Sequence, residues 1–395
     1  MENCLQKRTW MEIDLDMVEY NYNTIRNHVP KSAGVCCTIK ADAYGHGAVR
    51  IGKLLEELGG SFFAVSNAEE AIQLRKAGIV KPIMVLGYSP LETTQLLAKY
   101  NISQCVHSYE YGKALAADAR AKKVKIAIHI KIDTGMGRIG FPFRNFDESA
   151  RLDEIVELCE DESFISEGIF THFPISDSQK NGEAFTRAQY DKFISVINRL
   201  EERGVRFSVR HCANSAGLVD YPEYSLDMVR AGVLFFGIVP SKEMKNPDFD
   251  LKHTFAWKTV VSHIKTVKTG ESIGYSRTYI AEKDIKVATL PIGYADGFRR
   301  SNGNTEFKIY VKGRPCKIVG RVCMDQTMID VSEVEELSVG DEITVFGNGS
   351  PISVYDYAEM HETIPHEVMC NIAMRVPRVY LRHGKPEELT DYLLP

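Results

Sequence analysis

Between residue 34 and about residue 238, short apolar runs alternate with stretches of amphipathic helical spacing, and no other feature constrains the fold as strongly. A helix placed between successive strands makes those strands parallel, because the chain must cross over to re-enter the sheet in the same direction. Eight strand candidates are legible, at 35–39, 62–65, 83–86, 102–106, 124–130, 168–171, 207–209 and 228–229, with helical segments such as 68–77, 109–121 and 183–203 between them. Eight such repeats within roughly 200 to 250 residues are the count of an α/β fold of the (β/α)8 TIM-barrel type.

After about residue 250 the helical period fades and alternation takes over, at 255–264, 287–290, 307–311, 318–324 and 342–346. This predicts an N-terminal barrel over 1–250 and an all-β domain over 251–395. The stretch 9–15 also alternates before Asp16, a candidate helix cap, so the first ~15 residues are candidates for pairing with the second domain. The length of 395 residues, 44% of them hydrophobic, suffices for two cores. A formal charge of -5, without a dense Lys/Arg block, argues against a nucleic-acid surface and favours a small-molecule partner. No apolar run is long enough to span a bilayer, and the start, Met1 to Trp10, lacks the apolar core of a signal peptide. A cytoplasmic protein is expected. The nine cysteines show no Cys-x-x-Cys spacing, and Cys36, Cys37, Cys212 and Cys323 lie in apolar runs. They read as reduced, buried thiols, and no metal site is expected.

A barrel of this type carries its chemistry at the carboxyl ends of its strands. Lys40 follows the first apolar run, where a partly desolvated ammonium is ready to form a Schiff base. Lys131, Asp133 and Arg138 follow the fifth, His172 the sixth, His211, Asn214 and Ser215 the seventh, and Arg230 and Gly232 the eighth. Any one could be structural, a buried histidine donating to a carbonyl being the ordinary case, but their placement on one face marks a site. Loops after strands seven and eight often bind phosphate. Asn214 to Gly217 and Arg230 to Val233 offer a hydroxyl and backbone amides there. A phosphate opposite an amine is the layout that a pyridoxal-phosphate enzyme needs.

Lys40-Ala41-Asp42-Ala43-Tyr44-Gly45-His46-Gly47 closely resembles the cofactor-lysine motif of the alanine racemases, fold-type III enzymes. Lys131-Ile132-Asp133-Thr134-Gly135-Met136-Gly137-Arg138, Phe170-Thr171-His172-Phe173, His211-Cys212-Ala213-Asn214-Ser215-Ala216 and Met228-Val229-Arg230-Ala231-Gly232 are similar to further segments of that family. So are Ile273-Gly274-Tyr275-Ser276-Arg277, Pro291-Ile292-Gly293-Tyr294-Ala295-Asp296-Gly297 and Val319-Gly320-Arg321-Val322-Cys323-Met324-Asp325-Gln326. The motifs follow the family's order and reach from about Trp10 to Tyr380.

The resemblance implies interconversion of L- and D-alanine, with pyridoxal 5'-phosphate held by Lys40 and with Tyr44, His172, Asn214, Ser215, Arg230, Gly232 and Val233 around it. It implies Lys40 as proton carrier on one face of the substrate and Tyr275, from the partner subunit of a homodimer, on the other. Arg138, Met324 and Tyr294 would contact substrate, supported by Lys131, His211, Asp325 and Met374. Lys131 is expected to be carbamylated and to brace Arg138, and Arg230 to face the pyridine nitrogen. The physiological role stays open between cell-wall D-amino-acid supply and a resistance or spore-related duty.

Met374 departs from the pattern, standing where the family usually has a tyrosine that donates to the phosphate and narrows the pocket entrance. Methionine cannot donate. Serine racemases of the same fold also depart there, so a serine enzyme is an alternative. A non-catalytic cofactor carrier shares the barrel and its lysine, but Tyr275 and the second domain argue against it. Fold-related decarboxylases carry other motifs where Met324 and Asp325 stand.

Overall fold

The computed structural model describes residues 7–143 and 149–394, which divide into two compact units. One comprises Glu19–Ala43 and Ala48–Lys252; the other comprises the stretch up to Val18, the excursion Tyr44–Gly47 and the chain from His253 onward.

The first unit is a parallel barrel of β1 (Gly34–Thr38), β2 (Phe62–Val65), β3 (Ile83–Val85), β4 (Ile102–Val106), β5 (Ile126–Asp133), β6 (Phe164–Phe170), β7 (Val209–His211) and β8 (Met228–Ala231). The strands pair in chain order from β1 to β7, and β8 pairs with β1, setting Arg230 opposite Cys36 and Ala231 opposite Cys37. Between β7 and β8 a ladder gives way to two backbone bonds, Asp227 N to Arg210 O (3.1 Å) and Arg230 N to Ala213 O (3.0 Å). A side-chain clasp supports them: Arg210 donates to both carboxylate oxygens of Asp227, at 2.7 and 3.1 Å.

Outside the strands, Leu115, Leu152, Ile155 and Phe193 from the flanking helices join Ile128 and Ile130 in one buried cluster. Each such side chain is worth about 1.5–3 kcal/mol on burial. The helices begin where side chains satisfy their first amides: Asn67 caps Ala68–Lys76 and Ser108 caps Tyr109–Lys122. The third helix runs Gln179–Glu201, earlier than the 183–203 expected.

Strand ends differ from the sequence reading in a consistent way. β5 continues to Asp133, β7 lies at Val209–His211 rather than 207–209, and β8 continues to Ala231. Lys131, Asp133, His211 and Arg230 therefore lie within strands, all buried, rather than after them. An apolar-run criterion stops at the first polar residue, whereas this barrel buries polar side chains inside itself. β6 begins four residues before 168, because exposed Ile165 and half-buried Ser166 and Glu167 interrupt its pattern.

In the second unit, Thr9–Asp14 is the middle strand of five, antiparallel to Phe255–Val260 and parallel to Arg378–Arg382. The following helix, Leu15–His28, is capped by Asp14, whose carboxylate accepts from Asp16 N and Met17 N at 3.0 and 3.2 Å, and not by Asp16 as expected. A three-stranded antiparallel sheet holds His263–Val267, Ile285–Leu290 and Thr327–Asp330. The strand expected over 318–324 is absent apart from one bridge at Ile318. Gly320, at φ 77°, lies so close to Ile273 that a Cβ would come within 2.7 Å of its carbonyl oxygen, and extended pairing breaks there. Two short helices, Val354–Met360 and Pro365–Cys370, complete a unit that is strand-rich rather than all-β.

Candidate active site

Lys40 stands two residues beyond β1, at the carboxyl end of the barrel strands. The chain then makes a left-handed turn: φ is 52–54° at Ala41, Asp42, Ala43 and Tyr44, and 80° at Gly45. Such backbone costs an L-residue roughly 1–2 kcal/mol, so the turn must be held. Glu70 accepts from Ala41 N (2.8 Å) and Ser66 N (2.7 Å), and Asp42 accepts from Ala48 N (2.7 Å). Within the second unit, Arg378 Nε donates to Gly45 O and the Tyr380 hydroxyl to His46 O, both at 3.0 Å. A Cβ on Gly45 would lie 2.4 Å from Met369 O, so only glycine fits. Tyr44 is buried, with its ring edge-on to His366 at 5.9 Å.

Arg230 organises the barrel interior. Its Nη1 donates to His211 Nδ1 (3.0 Å), and Nη2 donates to His172 Nδ1 (3.1 Å), Thr171 O (2.9 Å) and Cys212 O (3.0 Å). Burial lowers its pKa to about 10, which still leaves a full guanidinium at neutral pH. Burial, with Arg230 next in weight, holds His172 and His211 well below the usual imidazole range, so both are neutral.

Lys131 is buried beside these groups, its Nζ 4.9 Å from the Phe170 ring centre. Burial first, then Arg230, pulls its pKa down to about 7. Asp133 shapes the following loop by accepting from Gly135 N and Gly137 N at 3.0 Å. Arg138 is exposed on that loop.

After β7, Asn214 caps Ser215–Asp220: its Oδ1 accepts from Gly217 N and from the Ser176 hydroxyl, and its Nδ2 donates to Phe173 O. The Asn214 side chain is thus engaged in shaping the loop. Ser215 Oγ accepts from Gly232 N at 3.2 Å, which joins the loops after β7 and β8, and Val233 follows as a buried residue.

In the second unit Tyr275 is 69% exposed, on a turn entered through Gly274 at φ 75°. Tyr294, Met324 and Met374 are also exposed, unusually for large apolar side chains. The backbone draws their segments together through Tyr294 N to Cys323 O (3.1 Å), Ala295 N to Met324 O (3.0 Å) and Ala373 N to Asp296 O (3.0 Å). Beneath them, fully buried Asp296 accepts from Arg8 at 2.6 and 3.0 Å and pairs with Arg375 at 2.9 Å, while Arg375 also reaches Asp325 at 2.6 Å.

Sequence reasoning passed over His129, Glu167, Asp296 and Arg375 as functional candidates. For His129 a signal existed: it precedes Lys131 by two residues, so a strand places both on one face.

Comparison with known proteins covers both units. A family model described as the alanine racemase N-terminal domain matches residues 13–240, and the C-terminal domain model matches 254–380. The alanine racemase of Clostridium tetani is 42% identical over 97% of this chain and 98% of its own. Alanine racemase 2 of Caldanaerobacter subterraneus subsp. tengcongensis is 42% identical over 98% of each chain. Among solved structures, alanine racemase of Clostridium difficile 630 superposes with a TM-score of 0.92 at 38% identity, covering 99% of this chain and 100% of that one. The Bacillus anthracis enzyme, solved with bound L-Ala-P, gives 0.91 at 33% identity and 99% coverage of both.

Proposed function

The chain belongs to the alanine racemase family, and on that premise we propose that it interconverts L- and D-alanine, using pyridoxal 5'-phosphate with Lys40 and Tyr275 as the two proton carriers. The observation that carries this reading is the barrel interior: a buried guanidinium fixed by two neutral imidazoles, with a lysine at the carboxyl end of the adjacent strand.

The donor set suits the cofactor. The Lys40 amine would bind its aldehyde, the Ser215 hydroxyl and the amides at Gly232 and Val233 would receive its phosphate with Tyr44, and Arg230 would face its ring nitrogen. When bound, the cofactor supplies the conjugated ring that spreads the charge left on Cα. The protein's own contribution is placement and proton movement. Arg230 donates hydrogen bonds yet keeps its protons, which limits how far charge is drawn into the ring and disfavours side reactions such as transamination. Lys40 takes or returns the Cα proton on one face, and Tyr275 of the partner subunit serves the other. A phenol is a weak base near pH 7, so this role needs a cationic, hydrogen-bond-donating setting. Arg138 would bind the substrate carboxylate, with Tyr294 and Met324 lining the substrate. The assembly is a homodimer with two shared sites, acting in the cytoplasm; no helix among the described residues is long and apolar enough to cross a membrane.

The deciding experiment is a racemisation assay over a panel of L-amino acids with added cofactor. Turnover of alanine is expected; cofactor binding without turnover of any substrate would return the carrier reading. L-alanine should exceed L-serine in kcat/KM, and a tenfold preference for serine would overturn the assignment. Met374→Tyr adds a phosphate donor and narrows the entrance. It should tighten cofactor binding roughly threefold to tenfold, as one hydrogen bond does, and lower the serine-to-alanine ratio further.

Lys131 supports carbamylation, because an amine with a pKa near 7 is largely a neutral nucleophile at physiological pH. Its nitrogen attacks CO2, forming the N–C bond and releasing a proton. A carbamate signal from 13C-bicarbonate, lost in Lys131→Met, is expected. In CO2-free buffer the sign of the pH effect follows from linkage. The folded-state pKa is about 7 and the ordinary value 10.5, so the unfolded chain binds the extra proton between them. Stability should therefore rise from pH 7 towards pH 10 relative to Lys131→Met, and a flat difference in thermal midpoint over that window would contradict the buried neutral amine.

A further inference from the structure

From Arg230, a group assigned to the cofactor, a hydrogen-bonded chain runs through His211 to two residues that the reaction as described does not use, His129 and Glu167. Arg230 Nη1 is 3.0 Å from His211 Nδ1, His211 Nε2 is 3.0 Å from His129 Nδ1, and His129 Nε2 is 2.9 Å from Glu167 Oε2. The Ser103 hydroxyl donates to the same Glu167 oxygen. Both imidazoles are fully buried, whereas the Glu167 side chain keeps a quarter of its exposure.

The two ends of this chain are chemically one-way. A guanidinium only donates and a carboxylate only accepts. Arg230 therefore requires His211 Nδ1 to be an acceptor, so the neutral His211 carries its proton on Nε2. That proton requires His129 Nδ1 to accept, which excludes a doubly protonated His129 and puts its single proton on Nε2, facing Glu167. The same logic at Arg230 Nη2 puts the His172 proton on Nε2.

The barrel is built around this arrangement. β6 bulges at Glu167: Ile128 pairs with Ser166 and His129 with Gly168, leaving Glu167 as the extra residue. Bulges re-aim side chains beside functional sites. A Cβ on Gly168 would come within 2.2 Å of His129 Nδ1, so glycine makes room for the ring. His211 stacks on Phe170 with ring centres 4.9 Å apart.

We propose that Glu167 and His129 are positioning residues that lock His211 as its Nε2–H tautomer, so that Arg230 and, through it, His172 keep the orientation the reaction needs. Burial alone would raise the Glu167 carboxyl, but the bonds from His129 and Ser103 outweigh it and hold the pKa below the ordinary value. Without that acceptor the tautomers can invert, an Nδ1–H then confronts Arg230, and the guanidinium must leave its partners. The kinetic consequence rests on the racemase reading; the tautomer assignment does not.

The test is 15N NMR of histidine-labelled protein with and without cofactor, alongside kinetics. Wild type should show His129, His172 and His211 as neutral Nε2–H forms. In His129→Leu, His211 should populate the Nδ1–H form, and kcat should fall about tenfold with the alanine KM within twofold. His129→Asn, whose Oδ1 stands near the Nδ1 position, should restore the His211 tautomer and most of kcat. Glu167→Leu, which alters only the partly exposed end, should reproduce the spectral change if the central leucine prevents folding. An unaltered His211 tautomer in the leucine variants, or a kcat loss that asparagine shares, would overturn the proposal. Correct tautomers in a wild-type protein that racemises nothing would overturn the assigned function and leave this inference standing.

Discussion

Replacing Lys40 with alanine should lower kcat/KM for alanine at least about 10³-fold, because on the proposed function one substitution removes both the cofactor's attachment point and a general base whose own contribution is typically 10²–10⁴-fold. The fold should survive. Lys40 lies outside the strand, and the strained turn after it is held through Ala41 and Asp42 by Glu70 and the Ala48 amide. The measurement is the change in optical rotation of L-alanine, together with the absorbance of bound cofactor. Added methylamine should recover a small fraction of activity by replacing the missing amine. A variant that kept a tenth of wild-type activity would show that Lys40 is not the essential amine.

Tyr275→Phe tests the other face. It removes one oxygen from a side chain that is 69% exposed, so stability should change by less than about 0.5 kcal/mol. Racemisation should nevertheless fall about 10²- to 10⁴-fold in both directions, since inversion needs both carriers. The distinguishing readout is exchange of the Cα proton with D2O. With Lys40 intact, one enantiomer should still exchange without inverting, while Lys40→Ala should exchange neither. Mixing the two inactive variants should restore part of the activity in heterodimers, because in the proposed dimer one of the two shared sites then holds both native residues. No recovery despite confirmed subunit exchange would count against sites shared between subunits.

Much of the barrel was legible because its outer layer obeys ordinary periodicity: apolar runs make β1 to β4, and the flanking helices carry their apolar face at helical spacing. Legibility failed where function intrudes. Lys131, His211 and Arg230 read as residues beyond strand ends, since polarity interrupts an apolar run; they lie inside strands, where Arg230 donates to the His211 ring and to the Thr171 carbonyl. Glu167 was hidden for a related reason, and His129 offered only its two-residue spacing from Lys131. Neither stands in a long motif, and only a bulge on β6 together with the missing Cβ of Gly168 lets them meet. In the second unit, residues 318–324 look like a strand by composition, but Gly320 at positive φ turns the chain.

The linear order of residues was enough to identify the repeat and the family and to single out a candidate lysine and candidate phosphate loops, because these depend on local periodicity and on motifs contiguous in the chain. Tertiary structure alone decided three things. It set a left-handed turn after Lys40, where the cost per residue is borne by Glu70, Asp42, Arg378 and Tyr380. It fixed the protonation pattern around Arg230, since a donor or acceptor role is dictated by whichever group lies within hydrogen-bond distance. It also placed Asp296 beneath Tyr294, Arg375 and Asp325, holding together segments some 80 residues apart in sequence. Side-chain chemistry can be read from a residue's identity, but burial and partnership are properties of neighbours that the chain brings together only on folding.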